Sequence, residues 1–216
     1  MCVSGNLSRV FSNQDILQMA EIFKMKNLIL ILTCLLLSIA SVGAQQQLPA
    51  AVNPEAGLWI KLEPASAGFT VLMPGKPSES TRSLDRPGVT NHELTLETKL
   101  AGYVVTYVEF PEEVTDPADV KTILDSGRDG GVASSKAELT GEKEIKLKQF
   151  AGREWLMKLP NGLVVTARAY WVKRRLYQTI LVISPNANDS PEVIKLRQQA
   201  GNKFLDSFTL NDDVTR

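Results

Sequence analysis

Strict alternation of apolar and polar residues marks one strand near the middle of the chain. Between residues 89 and 99, His92, Leu94 and Leu96 fall on one side of an extended backbone, and the positions between them are polar. This period predicts a strand that is buried on one face. The next run, residues 103–110, is apolar on both faces and predicts a central strand that is covered on two sides.

Short runs rich in β-branched and aromatic residues predict six further strands. They are Leu58–Leu62, Phe69–Met73, Ala137–Leu147, Glu154–Leu159, Leu163–Val172 and Leu176–Ile183. A break is expected at Gly141. The last four strands are joined by Ala151-Gly152, Pro160–Gly162 and Lys173-Arg174, and connections this short imply antiparallel neighbours. Pro74–Pro87 holds almost no apolar residue, so we predict a solvated loop there.

Two helix starts share one pattern, in which a capping residue is followed by proline. Asp116-Pro117 opens the first helix and Ser190-Pro191 the second, because a side-chain oxygen caps the free amides and proline suits the first helical position. We predict that the first helix ends near Gly130-Gly131. Strands in two blocks, with helices between and after them, predict the α+β class, an antiparallel β-sheet with packed helices in one domain over 57–216.

The N-terminal segment carries the three-part pattern of a secretory signal peptide. The uncharged run Leu28–Ala40 follows two lysines and precedes small residues at Val42 and Ala44. We therefore predict a leader over 1–44, cleavage after Ala44, and a secreted or periplasmic protein that contacts a membrane only through its leader. Met25 would open a well-formed signal peptide by itself and is a second candidate for the true start. An uncleaved leader that anchors the protein in the membrane is the alternative.

Composition and charge restrict the classes of function. The chain has 24 basic and 24 acidic residues, and this balance argues against a nucleic-acid partner. Residues 45–56 are rich in Gln, Pro and Ala and predict a flexible linker. Past the leader the sequence holds one histidine, His92, and no cysteine, so we expect no metal and no cofactor. No Gly-x-Ser-x-Gly turn supplies a nucleophile, so the alternative enzyme would be a hydrolase whose site is assembled from scattered residues.

One predicted hairpin gathers polar and aromatic side chains. If its turn is Lys173-Arg174, Tyr170 faces Tyr177 across the strands, and Arg168 and Arg175 fall on the same side. We call these four residues the polar-aromatic face. We predict that it is a binding surface, because tyrosine and arginine suit stacking and the recognition of anions or carbonyl groups. A purely structural aromatic pair closed by a stacked arginine is the other interpretation. The opposite side of the hairpin is almost wholly apolar and is expected to meet the helices.

Two short motifs near the ends of the domain resemble those of PsbP-like proteins. They are Gly68–Pro74, a Gly-Phe opening with a strand and proline, and Phe204–Phe208, a Phe-x-x-Ser-Phe closure. The resemblance implies an α/β/α sandwich, shared by secreted bacterial members of unknown function, with Phe69 in the core. It also implies a non-catalytic module, because the photosynthetic members are extrinsic accessory subunits of a membrane complex. We therefore expect an exported non-catalytic binding or accessory module, whose partner is another protein or an envelope component.

Overall fold

The computed structural model describes residues 59–84, 88–111 and 113–215. The strands are β1 (Ile60–Leu62), β2 (Phe69–Met73), β3 (Ser78–Ser83), β4 (Thr90–Glu97), β5 (Gly102–Glu109), β6 (Glu138–Leu147), β7 (Phe150–Lys158), β8 (Val164–Val172), β9 (Arg175–Ile183) and β10 (Thr209–Leu210). The helices are α1 (Pro117–Ser135), α2 (Pro191–Asp206) and the short α3 (Asp212–Thr215). Within these ranges, no helix combines the length and apolarity needed to cross a membrane. The predicted leader, its cleavage site and the linker lie outside the described residues.

Seven strands form the larger sheet in the order β3-β4-β5-β9-β8-β7-β6, and every neighbouring pair is antiparallel. Val104 and Val105 on β5 point to opposite faces of the sheet and are both buried, as expected for a strand covered on both faces. The register of β6 shifts between Leu139 and Gly141, so the predicted break is confirmed. The predicted α+β class, an antiparallel sheet with packed helices, is also confirmed.

The smaller sheet brings the two ends of the domain together. β2 pairs with β1 on one side and with β10 on the other, which places Phe69 opposite Leu210. The backbone N–H of Leu72 donates to the hydroxyl of Ser207 at 2.8 Å. The two motifs that resemble PsbP-like proteins are therefore in direct contact, although they are far apart in the sequence.

Apolar side chains form a core on each face of the larger sheet. One core lies beneath the smaller sheet and α2, and Phe69, Tyr103 and Phe204 are fully buried in it. The other core lies beneath α1, which packs over β7 and β8, and it includes Trp155 and Trp171. The result is a three-layer arrangement in which helices lie on both outer sides of one sheet.

Strand β3 occupies part of the segment for which the sequence predicts a solvated loop, so that prediction is wrong for Ser78–Ser83. All six side chains are exposed, and the strand forms one edge of the larger sheet by pairing with β4. Backbone hydrogen bonds hold an edge strand whatever its side chains are, and polar residues on it discourage pairing with other chains. The polar pattern thus indicates solvent contact but does not distinguish a loop from an edge strand.

Helix α1 passes through the glycine pair at which the sequence predicts its end. Gly131 is a buried part of the helix, which ends at Ser135. Lys136 then adopts a left-handed φ of 52°, and its N–H bonds to the carbonyls of Val132 and Ala133. Tertiary packing of the helix outweighs the weak helix propensity of its glycines.

The predicted turn at Ala151-Gly152 is also wrong, because both residues belong to β7. The turn lies at Lys148-Gln149, where Lys148 has a φ of 55°. Gly152 pairs with Tyr170, and a Cβ on Gly152 would lie 2.4 Å from Cδ1 of that ring. The glycine therefore allows the ring to approach the backbone closely. In the sequence, a glycine with this role within a strand cannot be distinguished from a glycine in a turn.

Candidate functional site

The hairpin of β8 and β9 has the predicted register. Its turn is Lys173-Arg174, Tyr170 pairs with Tyr177, and Arg168 pairs with Thr179. The residues of the polar-aromatic face therefore share one side of the sheet, as the sequence predicts. The opposite side of β8 belongs to the core beneath α1, which is also as expected.

Both tyrosines of the polar-aromatic face are inside the protein. Tyr177 is 0% exposed and Tyr170 is 5% exposed. The ring of Tyr170 stacks on Phe208 with centroids 5.9 Å apart, and Tyr177 meets Phe69 edge-on at 5.8 Å. Neither ring is therefore accessible to a partner in this structure. A second layer covers them, and no pattern within the hairpin reveals that layer.

Arg175 and Tyr177 hold the segment before β2 against the larger sheet. The hydroxyl of Tyr177 donates to the carbonyl of Ala67 at 2.7 Å, and Nη1 of Arg175 donates to the same oxygen at 3.2 Å. Arg175 also donates through Nε to Glu109 at 2.8 Å. Burial raises the pKa of the Tyr177 hydroxyl, against the opposing effect of Arg175. These contacts are structural links between two layers.

Arg168 makes a second link, between the sheet and the last turn of α2. Its Nε donates to Glu154 at 2.6 Å and its Nη1 to Asp206 at 2.8 Å. Burial opposes the ionisation of Glu154, but hydrogen bonds from Lys143 and Arg168 outweigh it and lower the pKa of this carboxyl group. All four residues of the polar-aromatic face thus contribute to the join between layers. A role for this face in partner binding stays a prediction.

A cavity of about 160 Å³ lies on the other side of the larger sheet, beside α1. We call it the helix-side cavity. Val104, Ile180 and Val182 line it from β5 and β9, and Gly127 and Gly131 line it from α1. The two glycines are one helical turn apart and therefore lie on one face of α1. Because they carry no side chain, the helix leaves space next to the sheet.

The apolar wall of the cavity contains two neutral hydrogen-bonding side chains from adjacent strands. Thr106 and Gln178 are paired between β5 and β9 and are buried, with 7% and 9% exposure. The Thr106 hydroxyl donates to Oε1 of Gln178 at 3.1 Å. Among the described residues, the amide nitrogen of Gln178 has no hydrogen-bond partner. Trp155 also lines the cavity, and its buried indole N–H is unpaired within the same ranges.

Charged residues stand at the rim of the cavity. Arg82 and Glu97 line it and are exposed, so the cavity opens to solvent on that side. Glu93 is half-buried and accepts a hydrogen bond from the hydroxyl of Thr95 at 2.8 Å. The rim thus carries two carboxylates and one guanidinium group.

An ion network fixes α1 at the side of the cavity. Arg153 of β7 contacts Asp125 of α1 at 2.6 Å and also bonds to Glu142 of β6. Arg128 of α1 reaches the same Glu142 at 2.5 Å. Burial opposes the ionisation of Glu142, but hydrogen bonds from Arg153 and Arg128 outweigh it and lower its pKa. Charge-assisted contacts therefore hold the helical wall in place.

His92 lies on the opposite face of the sheet from the cavity. It is half-buried, its Nδ1 lies 3.1 Å from the hydroxyl of Thr81, and its ring stacks on Tyr107 with centroids 4.4 Å apart. Over the ranges that the structure describes, no cluster of three His, Cys, Asp or Glu side chains could hold a metal ion. The contacts of His92 are those of a packed strand residue.

Sequence reasoning missed the helix-side cavity, although two of its features can be read from the sequence. Gly127 and Gly131 are four residues apart in a helix, and Gln178 is a polar position in an otherwise apolar strip. In the sequence, glycines in a helix indicate that the helix ends, and a single glutamine in a strand is typical of an edge position. Only the packing of α1 over β7 and β8 shows that these residues line one space.

The described domain is an α+β protein whose antiparallel sheet carries helices on both sides. No family model matches the sequence, and neither does any curated protein. Among solved structures, the chain is similar to cyanobacterial PsbP (CyanoP) from Synechocystis sp. PCC 6803. The two are 13% identical with a TM-score of 0.49, and the match covers 78% of this chain and 98% of that chain. The likeness concerns the fold alone.

Proposed function

We propose that this chain is an exported, non-catalytic binding module that holds a small apolar molecule of the cell envelope in the helix-side cavity. The observation that carries the proposal is the cavity itself, about 160 Å³ in volume and lined mainly by apolar side chains. A dry apolar cavity of about 150 Å³ is large enough to bind a benzene-sized molecule. Ligand sites typically combine such a lining with a few polar groups that orient the ligand.

Export is the part of the proposal that rests on the sequence. The leader pattern over 1–44 predicts delivery to the periplasm or the exterior, where the partner would be a component of the envelope. Membrane lipids and the molecules dissolved in them are the apolar compounds of that compartment. Contact of the protein with the membrane itself would be limited to the leader.

The polar groups of the cavity favour binding over catalysis. Its buried polar side chains are a hydroxyl, a carboxamide and an indole N–H, from Thr106, Gln178 and Trp155. Such neutral groups orient a ligand but do not gain or lose protons near neutral pH. Ser135 also lines the cavity, but its hydroxyl donates to the carbonyl of Gly131 at 2.7 Å. His92, the one histidine of the sequence, lies on the other face of the sheet.

Organic extraction of the protein tests the proposal directly. The protein is expressed with its leader, purified from the periplasm without detergent, denatured, and extracted for mass spectrometry. We expect the extract to contain an apolar compound that is depleted in Gly131→Leu, because this change fills the cavity from α1. Gly130→Leu is the matched control, since Gly130 lies in the same helix but does not line the cavity.

A second filling variant guards against misfolding of the first. Thr95→Phe enters the cavity from β4, at a half-buried position that tolerates an aromatic residue in a strand. The thermal melting curve of each variant is recorded before extraction. Extracts in which the wild type and both filling variants are indistinguishable would refute the proposed function.

A further inference from the structure

We propose that Gln178 is the polar anchor of the helix-side cavity, and that the cavity selects uncharged apolar molecules that carry a carbonyl oxygen. This inference rests on the proposed function and adds the chemistry of the ligand. It depends on which hydrogen bonds of the cavity wall are already made and which are not.

The contact with Thr106 fixes the orientation of the Gln178 side chain. A glutamine amide carries one acceptor oxygen and a nitrogen with two donor hydrogens. The Thr106 hydroxyl donates to the oxygen at 3.1 Å, so the oxygen is turned toward Thr106. The nitrogen has no partner among the described residues, although 91% of this residue is removed from solvent. The amide therefore presents donors, and not its acceptor, to the space that it lines.

A second unpaired donor lies in the wall of the same cavity. The indole N–H of Trp155 is buried and has no partner in the described part of the chain. An unpaired buried donor is unfavourable, but this nitrogen has almost no accessible surface even toward the cavity, so the Gln178 amide is the donor that a ligand can reach. The group that Gln178 leaves unpaired is a donor, so the complementary ligand is one that supplies an acceptor. A ketone, ester or tertiary amide carbonyl has that property.

The charges at the rim favour an uncharged ligand over an anionic one. Glu93 and Glu97 line the cavity with one cation, Arg82, so the local formal charge is negative. A carboxylate that entered would lose hydration and approach two like charges, which is unfavourable in a partly buried site. Fatty acids and other carboxylates should therefore bind less well than neutral carbonyl compounds of the same size.

A pair of matched probes tests the anchor. Butyrophenone and n-butylbenzene have the same ring and chain, but the first has a carbonyl group where the second has a methylene. We expect butyrophenone to bind about three- to tenfold more tightly, the factor that corresponds to one neutral hydrogen bond. The anion 3-phenylpropionate, of similar size, should bind more weakly than butyrophenone.

Side-chain amide signals in ¹H–¹⁵N spectra identify the donor during these titrations. The Gln178 NH₂ signals should shift with butyrophenone much more than with n-butylbenzene. The indole N–H of Trp171 is an internal control, because it already donates to the carbonyl of Val114 at 2.8 Å and should not respond. This readout uses the wild-type protein and does not depend on the folding of any variant.

Removal of the donor should abolish the preference without abolishing binding. In Gln178→Met the two probes should bind equally, with the affinity for n-butylbenzene within about twofold of wild type. Gln199→Met, at an exposed position of α2, is the matched control and should keep the preference. Equal binding of both probes to the wild type, or a preference that survives in Gln178→Met, would overturn the anchor but not the proposed function. Failure of every probe to bind would instead count against the proposed function.

Discussion

The hydroxyl of Tyr177 offers a sharp test of how the layers of this protein are joined. The change Tyr177→Phe keeps the ring in its fully buried site and removes the hydroxyl, which donates to the carbonyl of Ala67 at 2.7 Å and accepts from Nη1 of Arg175 at 3.3 Å. Nη1 of Arg175 still donates to that carbonyl at 3.2 Å, so the acceptor is not left entirely unpaired. We therefore expect a loss of about 1–2 kcal/mol in the free energy of unfolding, the cost of one buried hydrogen bond.

Urea unfolding followed by tryptophan fluorescence measures this loss, and thermal melting gives a second value. For a domain of this size, 1 kcal/mol corresponds to roughly 2–4 °C in Tm, so Tyr177→Phe should melt about 2–8 °C below the wild type. The control is Tyr107→Phe, because Tyr107 pairs with Tyr177 across β5 and β9. Its half-buried hydroxyl makes no hydrogen bond with the described residues, so the change should cost no more than about 0.5 kcal/mol.

The pH dependence supplies an independent check on the same hydroxyl. Burial raises the pKa of Tyr177 above its ordinary value of 10.0. Above about pH 10 the unfolded chain therefore loses this proton while the folded chain keeps it, and the stability falls as the pH rises. Tyr177→Phe removes this contribution and should flatten the alkaline loss. Equal stability of Tyr177→Phe and wild type at neutral pH, with an unchanged alkaline slope, would refute the reasoning.

Three further predictions address the other core, the ion pairs and the leader. Trp171→Ala should lose about 3–5 kcal/mol in urea unfolding, because Trp171 is 3% exposed beneath α1 and its removal leaves a cavity; a loss below about 1 kcal/mol would contradict this packing. Interactions with Lys143 and Arg168 lower the pKa of Glu154 against the effect of burial, so the wild type should lose stability as the pH falls below about 4.5, the ordinary value for glutamate. Glu154→Gln should reduce that acid dependence; an identical acid profile in the two proteins would count against the ion pair. Expression with the leader should yield a protein whose mass is that of a chain beginning at Gln45. An intact leader in the membrane fraction would instead favour the uncleaved membrane anchor.

The sequence by itself determined most of the secondary structure and the register of one hairpin. Both helix starts follow from local chemistry, because Asp116 and Ser190 cap amides only two or three residues away. The pairing of Tyr170 with Tyr177 follows from a two-residue turn, since a turn of fixed length sets every later pair of the hairpin. These are short-range effects, and a short stretch of residues contains all that they require.

The tertiary structure decided which faces are covered and where space remains. The second layer over Tyr170 and Tyr177 is built from β2, β10 and α2, segments distant in the sequence that meet through long-range pairing. The local pattern around Gly152 predicts a turn. In the structure this glycine pairs with β8, and its missing side chain leaves room for the ring of Tyr170. The helix-side cavity exists because α1 docks over β7 and β8 and presents glycines to the neighbouring strands. Burial and cavities depend on how layers pack, and packing joins residues that no local pattern relates.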